Sequence, residues 1–207
     1  MLDPLKVVIL SMLMFVPLLV APLAVAQDLA PDVLVRTIAK DVMAVIKQDK
    51  DIQAGNPHKI ADLIQAKILP HFDFTHTTMI AMGVNWRRAT AEQQEQLTRE
   101  FRTLLLHTYS RMLTNYHDQT IAYGPVRALP GDIDVIVRSE IRQSGMGPIA
   151  IEYQMERTPS GWKIYDLKIN GVRLATTYRD TFAEEIRNQG IDGLIGLLSN
   201  KNRQNGA

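Results

Sequence analysis

The sequence predicts an α+β domain in which helices cover one face of a curved, antiparallel, four-stranded sheet. Three observations carry this reading. Apolar residues recur at helical spacing through residue 116, the spacing switches to strict alternation from about residue 119, and turn signals separate the alternating runs. An alternating strand has one apolar and one polar face, so the apolar face needs a cover, and the amphipathic helices on either side of the sheet region are the available one.

The first 26 residues stand apart from this domain. Lys6 supplies a basic start, Val7 to Val20 is an almost unbroken apolar run, and Ala24-Val25-Ala26 is a small-x-small signal before Gln27. That is the layout of a secretory signal peptide cleaved near Ala26/Gln27. A membrane span needs about 20 apolar residues, and Pro17 and Pro22 interrupt this run. The chain has no cysteine, so it has neither a disulfide nor a lipid-modified cysteine, and the periplasm is the expected location. Residues 27–200 are expected to form one domain, with 201–207 as a frayed tail. A formal charge of +1 and the absence of a basic cluster argue against a nucleic-acid partner.

The elements follow in order. Pro31 opens a helix whose apolar face carries Val35, Ile38, Val42, Val45 and Ile46. Gly55-Asn56-Pro57 breaks it, and a shorter helix with Ile60, Leu63, Ile64 and Ile68 runs to Pro70. Residues 73–82 form another short helix, stopped at Gly83. Thr90 and Gln93 have the spacing of a capping box. The long helix behind them sets Leu97, Phe101, Leu104, Leu105, Thr108 and Met112 on one stripe, widened by Tyr109, Leu113 and Tyr116.

Four alternating runs come next. Residues 119–127 carry Ile121 and Tyr123; 133–142 carry Ile133, Val135, Val137, Ser139 and Ile141 on one face. Residues 149–156 carry Ile149, Ile151, Tyr153 and Met155, and 162–170 carry Tyr165, Leu167 and Ile169. Turns at Ser144 to Gly147 and at Thr158 to Gly161 join them. Gly171 lets the chain reverse, and Leu174, Tyr178 and Phe182 bring a helix back over the apolar face, with Asp166 and Arg179 placed to pair across the turn. A last helix carries Ile191, Leu194, Ile195 and Leu198.

Chemistry-bearing motifs are sparse. His71, Asp73 and His76 are close in sequence, but on a helix His71 and Asp73 point apart, and no zinc spacing is present. A helix-start cluster with Asp73 near the cap is the simpler reading. No nucleophile elbow, phosphate-cradling loop or dinucleotide fingerprint occurs, so no catalytic residue and no metal ligand is assigned. Asp118 with Tyr116 or Tyr123 is the one acid–base pair a pocket would hold; tyrosines on apolar stripes are more often core residues.

The stretches LPHFDF (69–74), MGVNWRRATAEQQEQLTREFRTLLLHTYSRML (82–113), GWKIYDLKINGVRLATTYRDTF (161–182) and GIDGLIGLL (190–198) resemble the MlaC family of periplasmic phospholipid-binding proteins. The resemblance spans the mature chain from its first helix to Leu198, and the Trp162-to-Asp166 strand with Tyr178-Arg179 is its most specific part. Arg173 departs from the small polar residue expected after Gly171-Val172. The resemblance implies a nuclear-transport-factor-2-like (NTF2-like) cone with an apolar cavity, and a carrier rather than an enzyme. It implies no cofactor beyond bound phospholipid as cargo. Its implied partners are an inner-membrane ABC transporter with an MCE subunit and an outer-membrane lipoprotein–porin complex, between which a monomer shuttles lipid to maintain outer-membrane asymmetry. The alternative is a secreted small-molecule hydrolase or isomerase on a similar fold, using the Tyr/Asp pair.

Physical chemistry sets what such a carrier needs. A diacyl phospholipid has about 30 methylenes, each disfavouring water by ~0.8 kcal/mol. Leaving five exposed costs about 4 kcal/mol, roughly a thousandfold in affinity, so the tails must be enclosed. The candidate wall on the sheet is Val135, Val137, Ile149, Ile151, Tyr153, Met155, Tyr165 and Leu167; on the helices it is Phe101, Leu105, Tyr109, Met112, Leu174 and Tyr178. Lys168 and Arg173, near the turn, are the candidate head-group contacts. Periodicity alone favours a solid core; it is the resemblance that implies layers held apart.

Overall fold

The computed structural model describes residues 29–110, 119–126, 128, 129, 131–143, 145 and 147–205. The signal segment 1–26, Met112, Tyr116 and Asp118 lie outside the described residues. Among those described, no helix is long and apolar enough to cross a membrane.

Helix starts follow the capping chemistry of the sequence. Helix α1 (Pro31–Gln48) begins with a proline, whose missing N–H costs nothing in the first turn. It ends where Asp49 accepts from the amides of Asp51 and Ile52, capping the single turn α2 (Lys50–Gln53). Asn56 caps α3 (Pro57–Lys67) in the same way. After a 3-10 turn at Leu69–His71, Asp73 caps α4 (Phe74–Met82) by accepting from His76 N at 2.8 Å. Helix α5 (Ala91–Tyr109) has the full capping box: Gln93 N donates to Thr90 Oγ1 at 3.2 Å, and Thr90 N to Gln93 Oε1 at 3.0 Å.

The sheet is antiparallel in the order β1 (Thr120–Tyr123), β2 (Asp134–Arg142), β3 (Ile149–Thr158), β4 (Gly161–Ile169), β5 (Val172–Arg173). It has five strands, not the expected four. Asn170 and Gly171 both have positive φ, 48° and 89°, which makes a two-residue hairpin turn matched to strand twist. The chain therefore pairs back on β4, Ile169 with Val172 and Lys168 with Arg173, before α6 (Leu174–Thr177) begins.

Helix α7 (Arg179–Asn205) is bent at Gly190, where φ is 74° and ψ −176°. The tail expected to fray from residue 201 is instead helical through Asn205. Asn202 is buried, and its Nδ2 donates to Glu100 O at 2.9 Å and Glu100 Oε2 at 2.7 Å, so the last turn is pinned to α5.

Three apolar cores result among the described residues. Ala81, Met82, Leu97, Phe101, Phe182, Leu194 and Leu198 join α4, α5 and α7. Leu34 and Val35 of α1 pack on Val135, Val137, Met155, Trp162 and Ile164 of the sheet. Val42, Ile46, Ile52, Ile60, Leu63 and Ile64 tie α1 to α2 and α3. The cores do not merge into one: members of all three surround a shared space.

The sheet register explains one departure from alternation. Tyr153 pairs with Leu167 and Gln154 with Asp166, but Met155 pairs with Ile164. Tyr165 is the extra residue of a bulge, so Ile164 replaces it on the apolar face. Tyr165 instead donates from its hydroxyl to Asp134 Oδ2 at 2.8 Å and stacks on His76 at 4.2 Å.

Candidate functional site: an apolar cavity between helices and sheet

The shared space is a partly enclosed cavity of about 360 Å³. Helix α1 contributes Val35, Ile38, Ala39, Val42, Met43 and Ile46 along one wall, continued by Ile64, Ile68 and Leu69. Phe72, Phe74 and Thr77 close a second side; Leu105, Leu106, Tyr109 and Ser110 of α5 and Leu174 of α6 form a third. The sheet supplies Ile121, Ile141, Ile149, Ile151, Tyr153, Ile164, Leu167 and Ile169, joined by Gln119 and Asp166. Val135, Val137, Met155 and Ile164 are buried, whereas the cross-strand neighbours Ile121, Ile141, Ile149, Ile151 and Ile169 are half-buried, so the cavity opens toward that end of the sheet.

Most of the few polar groups in this wall are hydrogen-bonded, though the buried Asp166 Oδ2 is not. Thr77 Oγ1 donates to the carbonyls of Asp73 and Tyr165 at 2.8 and 2.7 Å. Tyr153 and Ser139 share a hydrogen bond at 3.3 Å, and burial pushes the Tyr153 phenol up. The Tyr109 phenol is pushed up to about 12, chiefly by burial and then by the neighbouring Tyr178 hydroxyl to which it is bonded. Both tyrosines are therefore neutral at ordinary pH. Asp166, 1 % exposed, spends its Oδ1 on the amides of Leu167 and Ala175 at 2.9 and 3.0 Å. Such a wall offers dispersion contacts and exclusion of water; its chemistry suits an aliphatic guest.

The structure separates the residues singled out in the sequence. Leu105, Tyr109, Ile149, Ile151, Tyr153, Leu167 and Leu174 line the cavity together. Phe101, Val137 and Met155 are fully buried in solid core, and Val135 sits beside them. Tyr178 packs edge-on against Phe101 at 4.9 Å, behind the wall, and Tyr165 is turned away by the bulge. Lys168 lies on the other face of the sheet, where it pairs with Glu152 at 3.4 Å. Arg173 reaches Asp166 Oδ2 at 3.7 Å and Gln154 Oε1 at 3.2 Å. Arg179, expected to pair with Asp166, instead donates to the Ile80 carbonyl at 2.9 and 3.2 Å, closing the end of α4.

Of His71, Asp73 and His76, Asp73 caps α4 by accepting from the His76 amide at 2.8 Å, and the His76 ring meets Glu156 instead, Nδ1 to Oε1 at 2.8 Å. Of the alternative acid–base pair, only Tyr123 is described; Arg36 covers its ring at 4.2 Å, and it does not line the cavity. The α1 wall was missed as a site, although its amphipathic face was plain in the sequence. So were Ile121, Ile141 and Ile169, which continue the same inward row.

Residues 36–200 match the family described as MlaC protein. The chain belongs to the MlaC family. Its relatives in that family include the toluene tolerance protein ttg2D of Pseudomonas putida, 24 % identical over 185 residues, with 86 % of each chain covered. Another is the intermembrane phospholipid transport system binding protein MlaC of Haemophilus influenzae, 26 % identical over 180 residues, covering 86 % of this chain and 84 % of that one. Among solved structures, the phospholipid-binding protein of Ralstonia solanacearum in complex with a phospholipid superposes with a TM-score of 0.78. It is 43 % identical and covers 85 % of this chain and 98 % of its own.

Proposed function

We propose that this MlaC-family chain is a phospholipid carrier whose cavity encloses acyl tail while the head group stays in water. The observation that carries the reading is the cavity itself: α1, α5 and the sheet are held apart around a mostly apolar lining. A void lined this way forfeits packing unless something fills it, and an aliphatic chain is the guest that fills it without leaving a polar group unpaired. The names of the Haemophilus and Ralstonia proteins agree with this reading.

In the finer form of the proposal the mature protein works as a periplasmic monomer, without catalysis or cofactor. It moves lipid between an outer-membrane lipoprotein–porin complex and an inner-membrane ABC transporter carrying an MCE subunit, and so supports outer-membrane asymmetry. Leu105, Tyr109, Ile149, Ile151, Tyr153, Leu167 and Leu174 are the tail contacts. Lys168 is left out of the proposed contacts, since it lies on the other face of the sheet and pairs with Glu152. The test is organic extraction of the purified chain followed by mass spectrometry. Phospholipid at about one per chain is expected; a lipid-free chain that takes up none from vesicles refutes the proposal.

A further inference from the structure

In a mostly apolar wall, the few hydrogen-bond donors decide what a guest must carry besides a tail. Among the described residues two tyrosines line the cavity, Tyr109 on α5 and Tyr153 on β3. Each has a second hydroxyl beside it: that of Tyr178 next to Tyr109, and that of Ser139, 3.3 Å away, next to Tyr153. Two hydroxyls carry two protons, and the bond between them uses one. The other proton of each pair has no acceptor among the described residues. A guest that expels water from the cavity strands that proton unless it brings an acceptor itself.

Each tyrosine stands at the step from the open end to the interior. Along β3, Ile149, Ile151 and Tyr153 are half-buried and Met155 is fully buried. Along α5, Ser110 and Tyr109 are half-buried and Leu105, one turn earlier, is buried. A glycerolipid with its tail inside and its head group in water places its ester carbonyls at that step. A carbonyl oxygen is an acceptor with no proton of its own, which suits a wall with a donor to spare. An ether-linked chain is as apolar but brings no carbonyl.

We infer that Tyr109 and Tyr153 donate hydrogen bonds to acyl-ester carbonyls, so that the cavity selects ester-linked over ether-linked glycerolipids. This contact rests on the carrier reading above and specifies the linkage its ligand carries.

The test exposes delipidated protein to vesicles of equimolar dipalmitoylphosphatidylcholine and its di-O-hexadecyl ether analogue, with bound lipid read by native mass spectrometry. One net hydrogen bond corresponds to roughly fivefold in affinity, so the wild type is expected to hold the ester lipid in about fivefold excess or more. Tyr109→Phe and Tyr153→Phe each remove a hydroxyl and keep the ring. Each is expected to lower the ester-to-ether ratio by about threefold or more, with circular dichroism showing both folded. A wild type without preference, or a ratio unchanged in either folded variant, overturns the ester contact and leaves the carrier reading standing. Binding of neither lipid overturns both.

Discussion

Asp166 and Arg173 face each other across the β4–β5 hairpin, Oδ2 to Nη1 at 3.7 Å, with the carboxylate side chain fully buried and the guanidinium side chain 43 % exposed. A buried carboxylate needs both hydrogen bonds and an opposite charge. The amides of Leu167 and Ala175 supply the first, and Arg173 is the cation beside it. Arg173 thus has a structural role at the corner where the sheet turns into α6.

Arg173→Gln should lower stability by about 1–2 kcal/mol, less than a fully buried pair would lose because the arginine is screened by water. Lys168→Gln, which removes half of an exposed pair with Glu152, should change it by less than about 0.5 kcal/mol. Urea unfolding midpoints at constant m-value compare the two.

Two substitutions on the same sheet face should behave differently. Ile151→Glu places a charge at the cavity wall, near the open end, and is expected to leave the chain folded while reducing bound phospholipid at least tenfold by native mass spectrometry. Val137→Glu places one in solid core with no exposed surface, and should cost about 4 kcal/mol or more, enough to unfold a domain of ordinary stability.

The tyrosines predict an alkaline limit. Tyr109 titrates near 12 in the folded chain against about 10 when unfolded, so the folded state holds its proton more tightly. Its contribution is complete below pH 10 and is lost as pH rises from about 10 to about 12. Thermal melts with parallel tyrosinate absorbance should show stability falling over that window, with a shallower fall in Tyr109→Phe.

Gly190→Ala should destabilise by about 1–3 kcal/mol, because the backbone there occupies a region essentially reserved for glycine. The expected signature in hydrogen exchange is faster exchange in the half of α7 that carries Leu194 and Leu198.

The sequence made much of this architecture legible. Caps at Thr90 and Asp73, the break at Gly55-Asn56-Pro57 and the alternation of β2 and β3 act locally, and local physics is what a sequence displays. Three things were not legible for the opposite reason. The bulge that ejects Tyr165 depends on how β4 meets β3. The fifth strand depends on Val172 and Arg173 finding β4 after the Asn170-Gly171 turn. Whether an inward side chain meets a neighbour or a void depends on the distance between layers, so Val137 and Ile151 look equivalent in sequence although one is packed and the other lines the cavity.

That acyl tail lies within this cavity is tested most directly by a phospholipid carrying a photoreactive diazirine near the end of one chain. After illumination and proteolysis, cross-links should fall on cavity residues such as Leu105, Ile151 and Leu174. Cross-links confined to the opposite sheet face, around Arg138, Glu152 and Lys168, would contradict the account.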